Sequence, residues 1–376
     1  MKLTDICDFQ GGSQPPKNQW SSEPKEGYIR MLQIRDFTQD SSKVEYVKIT
    51  NSIKKCNGKD ILIARYGASI GKILTGLSGA YNVAMMKVVI DENIVDRNFI
   101  YNFLKSDMFQ NYIKNVGQRA AQAGFNKEEL SKININLPTL EEQKNIAQEL
   151  NKVQEIIDIR KKQIDQLYEL IKSQFVEMFG SVKDSKWKKE KLEDITEKIT
   201  DGKHGGCQSE YNSGYYFIGA TEIYNDKINY ENSNQITKKD FEKDYTRCDL
   251  KLDDFVIVNT GATIGKSAIV VDERCKNTLL QKSVALIRGK KEKILPIYLK
   301  YCYEEEPSLY SKGQGCARIN LLLSQIRNTD IPVPPIELQN KFAYFVKQID
   351  KQKFKVQESL NKMQNLYEAL MDQYFG

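Results

Sequence analysis

The chain has 376 residues, 40% of them hydrophobic and 28% charged, which is ample material for buried cores and for about two to three domains. Fifty-six Lys and Arg against fifty Asp and Glu leave +6, a mildly basic balance that permits nucleic-acid binding without requiring it. Neither end reads as a signal sequence and no stretch approaches the ~18 uncharged apolar residues of a membrane span, so the expectation is a cytoplasmic protein, neither secreted nor spanning a membrane.

In chain order, Leu3-Thr4-Asp5-Ile6 opens a region rich in β-branched and aromatic runs broken by Gly, Asn and Asp. Tyr28 to Phe37, Asp60-Ile61-Leu62-Ile63-Ala64-Arg65 and Val88-Val89-Ile90 read as strands, and Arg97 to Tyr112 as a helical patch. Arg65-Tyr66-Gly67-Ala68-Ser69-Ile70-Gly71-Lys72 reads as a hairpin whose glycines permit positive φ at a tight turn. After Leu137-Pro138-Thr139-Leu140-Glu141-Glu142-Gln143 the pattern changes to heptads: Ile146, Leu150, Val153, Ile157, Arg160, Ile164, Leu167, Ile171, Gln174 and Met178, closed by Phe179-Gly180.

The same order then repeats. Leu192-Glu193-Asp194-Ile195 answers the opening motif, and Asp254-Phe255-Val256-Ile257-Val258 and Ser283-Val284-Ala285-Leu286-Ile287 read as strands. Asn259-Thr260-Gly261-Ala262-Thr263-Ile264-Gly265-Lys266 repeats the hairpin, and Pro296 to Tyr303 reads as a helical patch. Val333-Pro334-Pro335-Ile336-Glu337-Leu338-Gln339 introduces Phe342, Val346, Ile349, Lys353, Val356, Leu360, Met363, Tyr367, Leu370 and Tyr374 in the same register, closed by Phe375-Gly376. Four landmarks recurring in one order mean an internal duplication.

The fold class that follows is α+β: two mixed, mainly β globular domains, 1–138 and 182–334, separated by long helices over 139–181 and 335–376. A strict a/d stripe is too narrow for a helix lying on a large core and fits a coiled-coil seam. The expected seam is Leu150, Val153, Ile157, Ile164, Leu167 and Ile171 against Val346, Ile349, Val356, Leu360, Met363 and Leu370. About 40 residues at 1.5 Å each make a rod of roughly 60 Å. Antiparallel pairing would put the two domains at opposite ends, about a pseudo-two-fold axis. The alternative is two amphipathic helices, each packed on its own domain.

Catalytic motifs fail on spacing. Gly261 to Gly265-Lys266 leaves three residues between the glycines where a phosphate-binding P-loop needs four, and copy one follows Lys72 with Ile73 rather than Ser or Thr. A methyltransferase of amino groups would need an Asn/Asp-Pro-Pro-Tyr/Phe loop, but the Pro pairs here are Gln14-Pro15-Pro16-Lys17 and Val333-Pro334-Pro335-Ile336. Asp249, Asp253 and Asp254 read as solvated acids at a strand entrance rather than a nuclease cluster. Seven cysteines never stand as C-x-x-C, and the single histidine, His204, excludes a His pair, so no catalytic site, metal or cofactor is expected.

Two unlike globular domains, each followed by L-P-x-[LI]-E-x-Q or its variant and a long helix, resemble the specificity subunit of a type I DNA restriction-modification system. Thr200-Asp201-Gly202-Lys203-His204-Gly205 resembles the D-G-x-H loop of that family's target-recognition domains. The two G-A-[ST]-I-G-K hairpins, Gly313-Gln314-Gly315 and Gly117-Gln118-Arg119 are similar to further features of them. Gly205-Gly206-Cys207 stands where a proline often follows that loop, and copy one has Gly11-Gly12-Ser13-Gln14-Pro15-Pro16 in its place.

The resemblance implies a non-catalytic reader of double-stranded DNA. Each domain would read half of a split target, and the helices would set the unread spacer and dock two modification (methyltransferase) subunits, which recruit restriction subunits. The complex, not this chain, would carry adenine methyltransferase and endonuclease activity. By family position and base-edge chemistry, DNA contacts are expected at Lys17, Asn18, Arg30, Gln33, Arg35, Arg65, Ser69, Lys72 and Arg119 in copy one. In copy two they are expected at Lys203, His204, Thr221, Glu222, Asn259, Thr263, Lys266, Gln314 and Arg318. Arg30, Gln33 and Arg35 cannot all face DNA from one strand. The alternative function is a duplicated coiled-coil adaptor that binds protein.

Overall fold

The computed structural model describes residues 1–39, 43–119, 124–310 and 320–376, without the side chains of Gln118 and Arg119. The fold is α+β and divides into two compact units, Met1–Lys161 with Gln357–Gly376, and Lys162–Val356. Both boundaries fall inside the long helices, so each unit contains one β-rich domain and segments of both helices. No helix among the described residues is long and apolar enough to cross a membrane.

Unit 1 contains β1 (Cys7–Gly11), β2 (Tyr28–Leu32), β3 (Ile61–Ala64), β4 (Ile73–Leu74), β5 (Gly79–Tyr81) and β6 (Met85–Ile90). A four-stranded antiparallel sheet has the order β1-β6-β3-β4. The central β3, Ile61-Leu62-Ile63-Ala64, is buried at every position, which is why it reads as a continuous apolar run without alternation. A second, five-stranded sheet places β2 parallel to β5 at its centre. Two helices follow, α1 (Arg97–Lys105) and α2 (Asp107–Arg119).

The expected single patch from Arg97 to Tyr112 is therefore two helices. Ser106 leaves the helical region at ψ 153°, and its hydroxyl donates to the Phe103 carbonyl at 2.7 Å. The expected strand from Tyr28 to Phe37 also ends early. Gln33 starts a short helix, Ile34–Thr38, because the Asp36 carboxylate accepts the Gln33 amide at 2.7 Å.

Unit 2 repeats the plan with β7 (Lys189–Lys191), β8 (Thr196–Asp201), β9 (Tyr216–Ile218), β10 (Phe255–Val258), β11 (Ser267–Ile269), β12 (Thr278–Leu280), β13 (Val284–Gly289) and β14 (Asp330–Pro332). Its four-stranded sheet runs β8-β13-β10-β11, the same order as in unit 1, and β10 is again buried throughout. The second sheet differs: it has three strands, with β9 parallel to β12. A helix that unit 1 lacks at this point, α4 (Lys238–Cys248), lies beside β12 and β8. After β13 comes the helix α5 (Pro296–Glu305).

The two long helices, α3 (Leu140–Phe179) and α6 (Ile336–Phe375), are 40 residues each. Thr139 caps α3 through a reciprocal pair: its amide and hydroxyl both donate to Glu142 at 2.8 Å, and the Glu142 amide returns to the Thr139 oxygen at 3.3 Å. Gly180 ends it at φ 77°, a left-handed conformation suited to glycine. None of the expected heptad positions in either helix is exposed, and Leu150, Val153, Ile157, Ile171, Phe342, Val346, Ile349, Leu360 and Leu370 are buried.

Within unit 2 the helices run antiparallel: Lys353 lies 3.4 Å from the Tyr168 ring centroid, while Phe342 packs on Phe175 at 5.4 Å and Phe179 at 5.5 Å. Within unit 1, Tyr374 near the end of α6 donates to Glu149 near the start of α3 at 2.6 Å. The buried face widens to Ala147, Phe175, Met371 and Phe375 where each helix end meets its domain.

A plan of contact shared by the two copies explains the repeated motif before each helix. Gln143 and Gln339 are 1% and 0% exposed. Gln143 accepts the Asp96 amide at 2.9 Å and donates to the carbonyls of Ile94 and Pro138 at 3.2 and 2.9 Å. Gln339 accepts the Leu295 amide and donates to Lys293 and Pro334, all at 2.9 Å. Each glutamine thus ties its long helix to the start of α1 or α5 and to the proline carbonyl behind it. One amide with both donor and acceptor ends does what neither Glu nor Leu can.

Candidate nucleic-acid interface

Sheet register gathers the loops of interest. In unit 1 the pairs Gly11↔Met86, Ala64↔Met85 and Ile63↔Ile73 put the exit of β1, the exit of β3 and the entrance of β4 at one end of the sheet. The segment carrying Lys17 and Asn18 and the hairpin from Arg65 to Lys72 both leave from that end. In unit 2, Asp201↔Ala285, Val258↔Val284 and Ile257↔Ser267 do the same for the Lys203–His204 loop and the Asn259 to Lys266 hairpin.

The first loop makes its crossing through glycine in both units. A Cβ on Gly12 would lie 2.0 Å from the Asn82 carbonyl oxygen, and one on Gly202 would lie 2.1 Å from that of Leu280. Beyond those glycines, Ser13 bridges to Asn82 and Lys203 to Gln281. The D-G-x-H loop and the Gly-Gly-Ser-Gln-Pro-Pro loop are thus structural equivalents although only one glycine is shared.

The hairpins are also equivalent bond by bond. Gly71 N–H donates to Ala64 and Gly265 N–H to Val258, both at 2.9 Å, and Lys72 and Lys266 donate their amides to Ser69 and Thr263 at 3.0 and 3.1 Å. All four hairpin glycines have positive φ, from 69° to 102°. Lys72 and Lys266 are exposed, as are Lys17 and Asn18, and none of the three lysines meets a carboxylate among the described residues. Ser69 and Thr263 are half-buried. Arg65 donates to the Phe125 carbonyl at 3.2 Å and lies 5.0 Å from the Tyr66 ring.

Other expected contacts are engaged inside the domain. Arg30 pairs with Asp36 at 2.9 Å, and Arg35 and Gln33 share one Glu45 oxygen at 2.5 and 2.7 Å. Glu222 accepts the Gly219 amide at 2.8 Å and the Thr221 hydroxyl at 2.7 Å, which makes a turn rather than a free acceptor. Asn259 is 5% exposed, its amide donating to Ser283 at 3.0 Å and its carbonyl accepting Leu321 at 2.8 Å. Gln314 and Arg318 lie outside the described residues, as does the Arg119 side chain.

The loop of unit 2 is braced by α4. Lys203 pairs with Asp244 at 2.6 Å, and that bond holds its ammonium above the ordinary lysine range. Asp201 accepts Arg247 and lies 3.3 Å from the imidazole Nε2 of exposed His204. Asp244 and Arg247, three apart on one helix face, were not picked out in the sequence because their partners lie some 40 residues away and no local pattern marks them. Asn82 and Gln281, half-buried amides beside the crossing glycines, were also missed: single amides after a short strand carry no spacing signal.

One expectation is corrected. Asp249 and Asp254 are not solvated acids. Asp254 is 1% exposed and takes a bidentate pair from Arg288 at 2.7 and 2.8 Å, while Asp249 meets Lys198 at 2.6 Å and Arg288 at 3.4 Å. Burial alone would push the Asp249 carboxyl up, but hydrogen bonding to Lys198 and the charge of Arg288 hold it below the usual range. The carboxylates neutralise cations that fasten β8, β10 and β13 together, which takes them out of any nuclease chemistry.

The model of the family described as "Type I restriction modification DNA specificity domain" matches residues 1–169 and again 184–363. Among curated proteins, the type I restriction enzyme MjaVIII specificity subunit of Methanocaldococcus jannaschii is 26% identical over 395 residues, covering 97% of this chain and 91% of that one. The type I restriction enzyme EcoBI specificity subunit of Escherichia coli is 20% identical over 388 residues, covering 93% and 80%. Among solved structures, a chain from work on complex assembly and conformational transition of the type I R-M system matches with TM-score 0.58 at 16% identity, covering 100% and 96%. The type I S subunit from M. genitalium matches with TM-score 0.56 at 14% identity, covering 100% and 95%. At these identities the structural likeness is one of fold.

Proposed function

The chain belongs to the type I restriction modification DNA specificity family, and from that premise we propose that it is the DNA-reading subunit of such a system, each globular domain reading one half of a bipartite duplex target. The observation that carries this is the repeated sheet end, where two equivalent loops emerge side by side in each unit. The exposed donors there, Lys17, Asn18 and Lys72 in one domain and His204 and Lys266 in the other, supply phosphate and base-edge contacts, with Arg65, Ser69, Lys203, Thr221 and Thr263 beside them. Arg30, Gln33, Arg35, Glu222 and Asn259 shape the loops from within, and Arg119, Gln314 and Arg318 are assigned DNA contacts by their family position alone. Asn82 and Gln281 join the reading set, since side-chain amides suit adenine.

Domains 1–138 and 182–334 are the readers, and helices 139–181 and 335–376 the ruler between them. A helix of roughly 60 Å sets a separation on the scale of one to two duplex turns of about 34 Å. The helices also dock two modification subunits, through which restriction subunits join. Methylation and cleavage belong to those partners, and this chain needs no cofactor.

The test is an exchange of residues 1–138 for the corresponding domain of another family member, with co-expression of the modification partner and genome-wide mapping of methylated adenines. One half of the recognised sequence changes and the other stays. A change in both halves refutes the assignment of one domain to one half. Duplex binding that is steep in salt separates this reading from a protein adaptor.

A further inference from the structure

In unit 2 the D-G-x-H loop is laid lengthwise on α4. Asp201 accepts Arg247 at its carboxylate and, at 2.9 Å, at its backbone carbonyl, which also accepts the Cys248 thiol at 3.4 Å. Lys203 meets Asp244 at 2.6 Å. Nearer the start of the helix, the Gln208 amide donates to Asp240 at 2.6 Å and its carbonyl accepts the Thr237 amide at 3.0 Å. Loop and helix thus run in opposite directions, and Thr237, Asp240, Asp244 and Arg247 form the helix face beneath the loop.

Both acids of that face are engaged by the loop. The ridge beside it is basic, because Lys239, Lys243 and Arg247 follow one another at i, i+4 and i+8. Lys239 and Lys243 are exposed and meet no carboxylate among the described residues. Glu242, the exposed acid next around the helix, pairs with Lys238 at 3.6 Å. Unit 1 has no helix of this length between β2 and β3 among its described residues. There the equivalent loop is held by a turn: the Ser13 hydroxyl donates to the Ser52 carbonyl at 3.1 Å and accepts the Lys54 amide at 2.7 Å. Those bonds bring no helical ridge of cations with them.

We propose that α4 is a duplex-backbone clamp: Lys239 and Lys243 pair with neighbouring phosphates of one strand beside the half-site that unit 2 reads, a grip that unit 1 does not share. The inference rests on the proposed reading of duplex by the sheet-end loops and adds to it a contact that carries no sequence information. The spacing suits the partner. At 1.5 Å per residue the two lysines stand about 6 Å apart along the helix, and a DNA strand bears one charge per about 3.4 Å of duplex axis. With Asp240 and Asp244 turned to the loop, no carboxylate of that face competes with phosphate for the two ammonium groups.

The test is fluorescence anisotropy of the full chain with duplexes that carry or lack the mapped target, from low to high salt. Lys239→Ala with Lys243→Ala should lower the slope of log affinity against log salt by about 2 and weaken all duplexes alike. Alanine suits an exposed helical position, and the pair of glutamine substitutions, which keeps side-chain length, should match it. Lys290→Ala with Lys291→Ala removes the same charge just beyond Gly289, which pairs with Thr196 at the other end of the sheet, and should leave the slope unchanged. On the mapped target, interference by phosphate ethylation should fade beside one half-site only. A slope indifferent to the α4 pair overturns the proposal, as does a slope lowered equally by the control pair, a loss confined to one base pair, or interference that fades beside both half-sites. A parent chain whose duplex binding is not steep in salt refutes the DNA-reading function itself, and the clamp with it.

Discussion

Gln339→Met is the substitution that most directly tests how the long helix is fastened to its domain. Methionine nearly matches glutamine in volume, so packing is kept while three hydrogen bonds of 2.9 Å are lost. The Pro334 carbonyl is buried and the Leu295 amide and Lys293 carbonyl are partly so. At about 1 kcal/mol for each lost bond, and more for a buried group left unpaired, the cost is about 3–5 kcal/mol. In a unit of this size that lowers the melting temperature by roughly 6–15 °C.

Differential scanning calorimetry reads the shift. Hydrogen exchange locates it, because the Leu295 amide loses its acceptor. Gln143→Met should lower the transition of unit 1 by a similar amount and leave Leu295 protected. A Gln339→Met protein that melts within about 1 °C of the parent, or keeps Leu295 protection, refutes the fastening role.

Lys266→Ala should weaken binding to all duplex sequences alike and lower the salt slope by about 1, measured by anisotropy from low to high salt; loss confined to one base position would make it a base reader. Gly202→Ala forces a Cβ to within 2.1 Å of the Leu280 oxygen, so a loss of about 1–3 kcal/mol by thermal melting and weakened reading of one half-site are expected. Arg288→Met strands Asp254, and a loss of about 3 kcal/mol by denaturant titration is the expected result. Because Asp249 is held below its ordinary range, its contribution is full above about pH 4 and disappears as pH falls further, through its folded-state value. Acid titration of Asp249→Asn should lack that part of the loss. Inserting four residues near Arg160 should lengthen the unread spacer with both half-sites intact, read by methylation mapping.

The sequence alone determined the duplication, the two long helices and the two hairpins, because each is encoded by short-range order. A heptad is visible to anyone counting, a buried central strand is a continuous apolar run, and Gly-Ala-Ser-Ile-Gly and Gly-Ala-Thr-Ile-Gly name their own turns. Tertiary structure alone decided which polar side chains are free. Arg30, Arg35, Lys203 and Lys266 look equally available in the sequence, yet three are committed to Asp36, Glu45 and Asp244 while Lys266 meets no carboxylate among the described residues. The Asp249 to Arg288 network was misread for the same reason. A charge finds its partner through sheet register and helix placement, which no local pattern marks, and at buried Asp254 the low dielectric then makes its pairing with Arg288 obligatory.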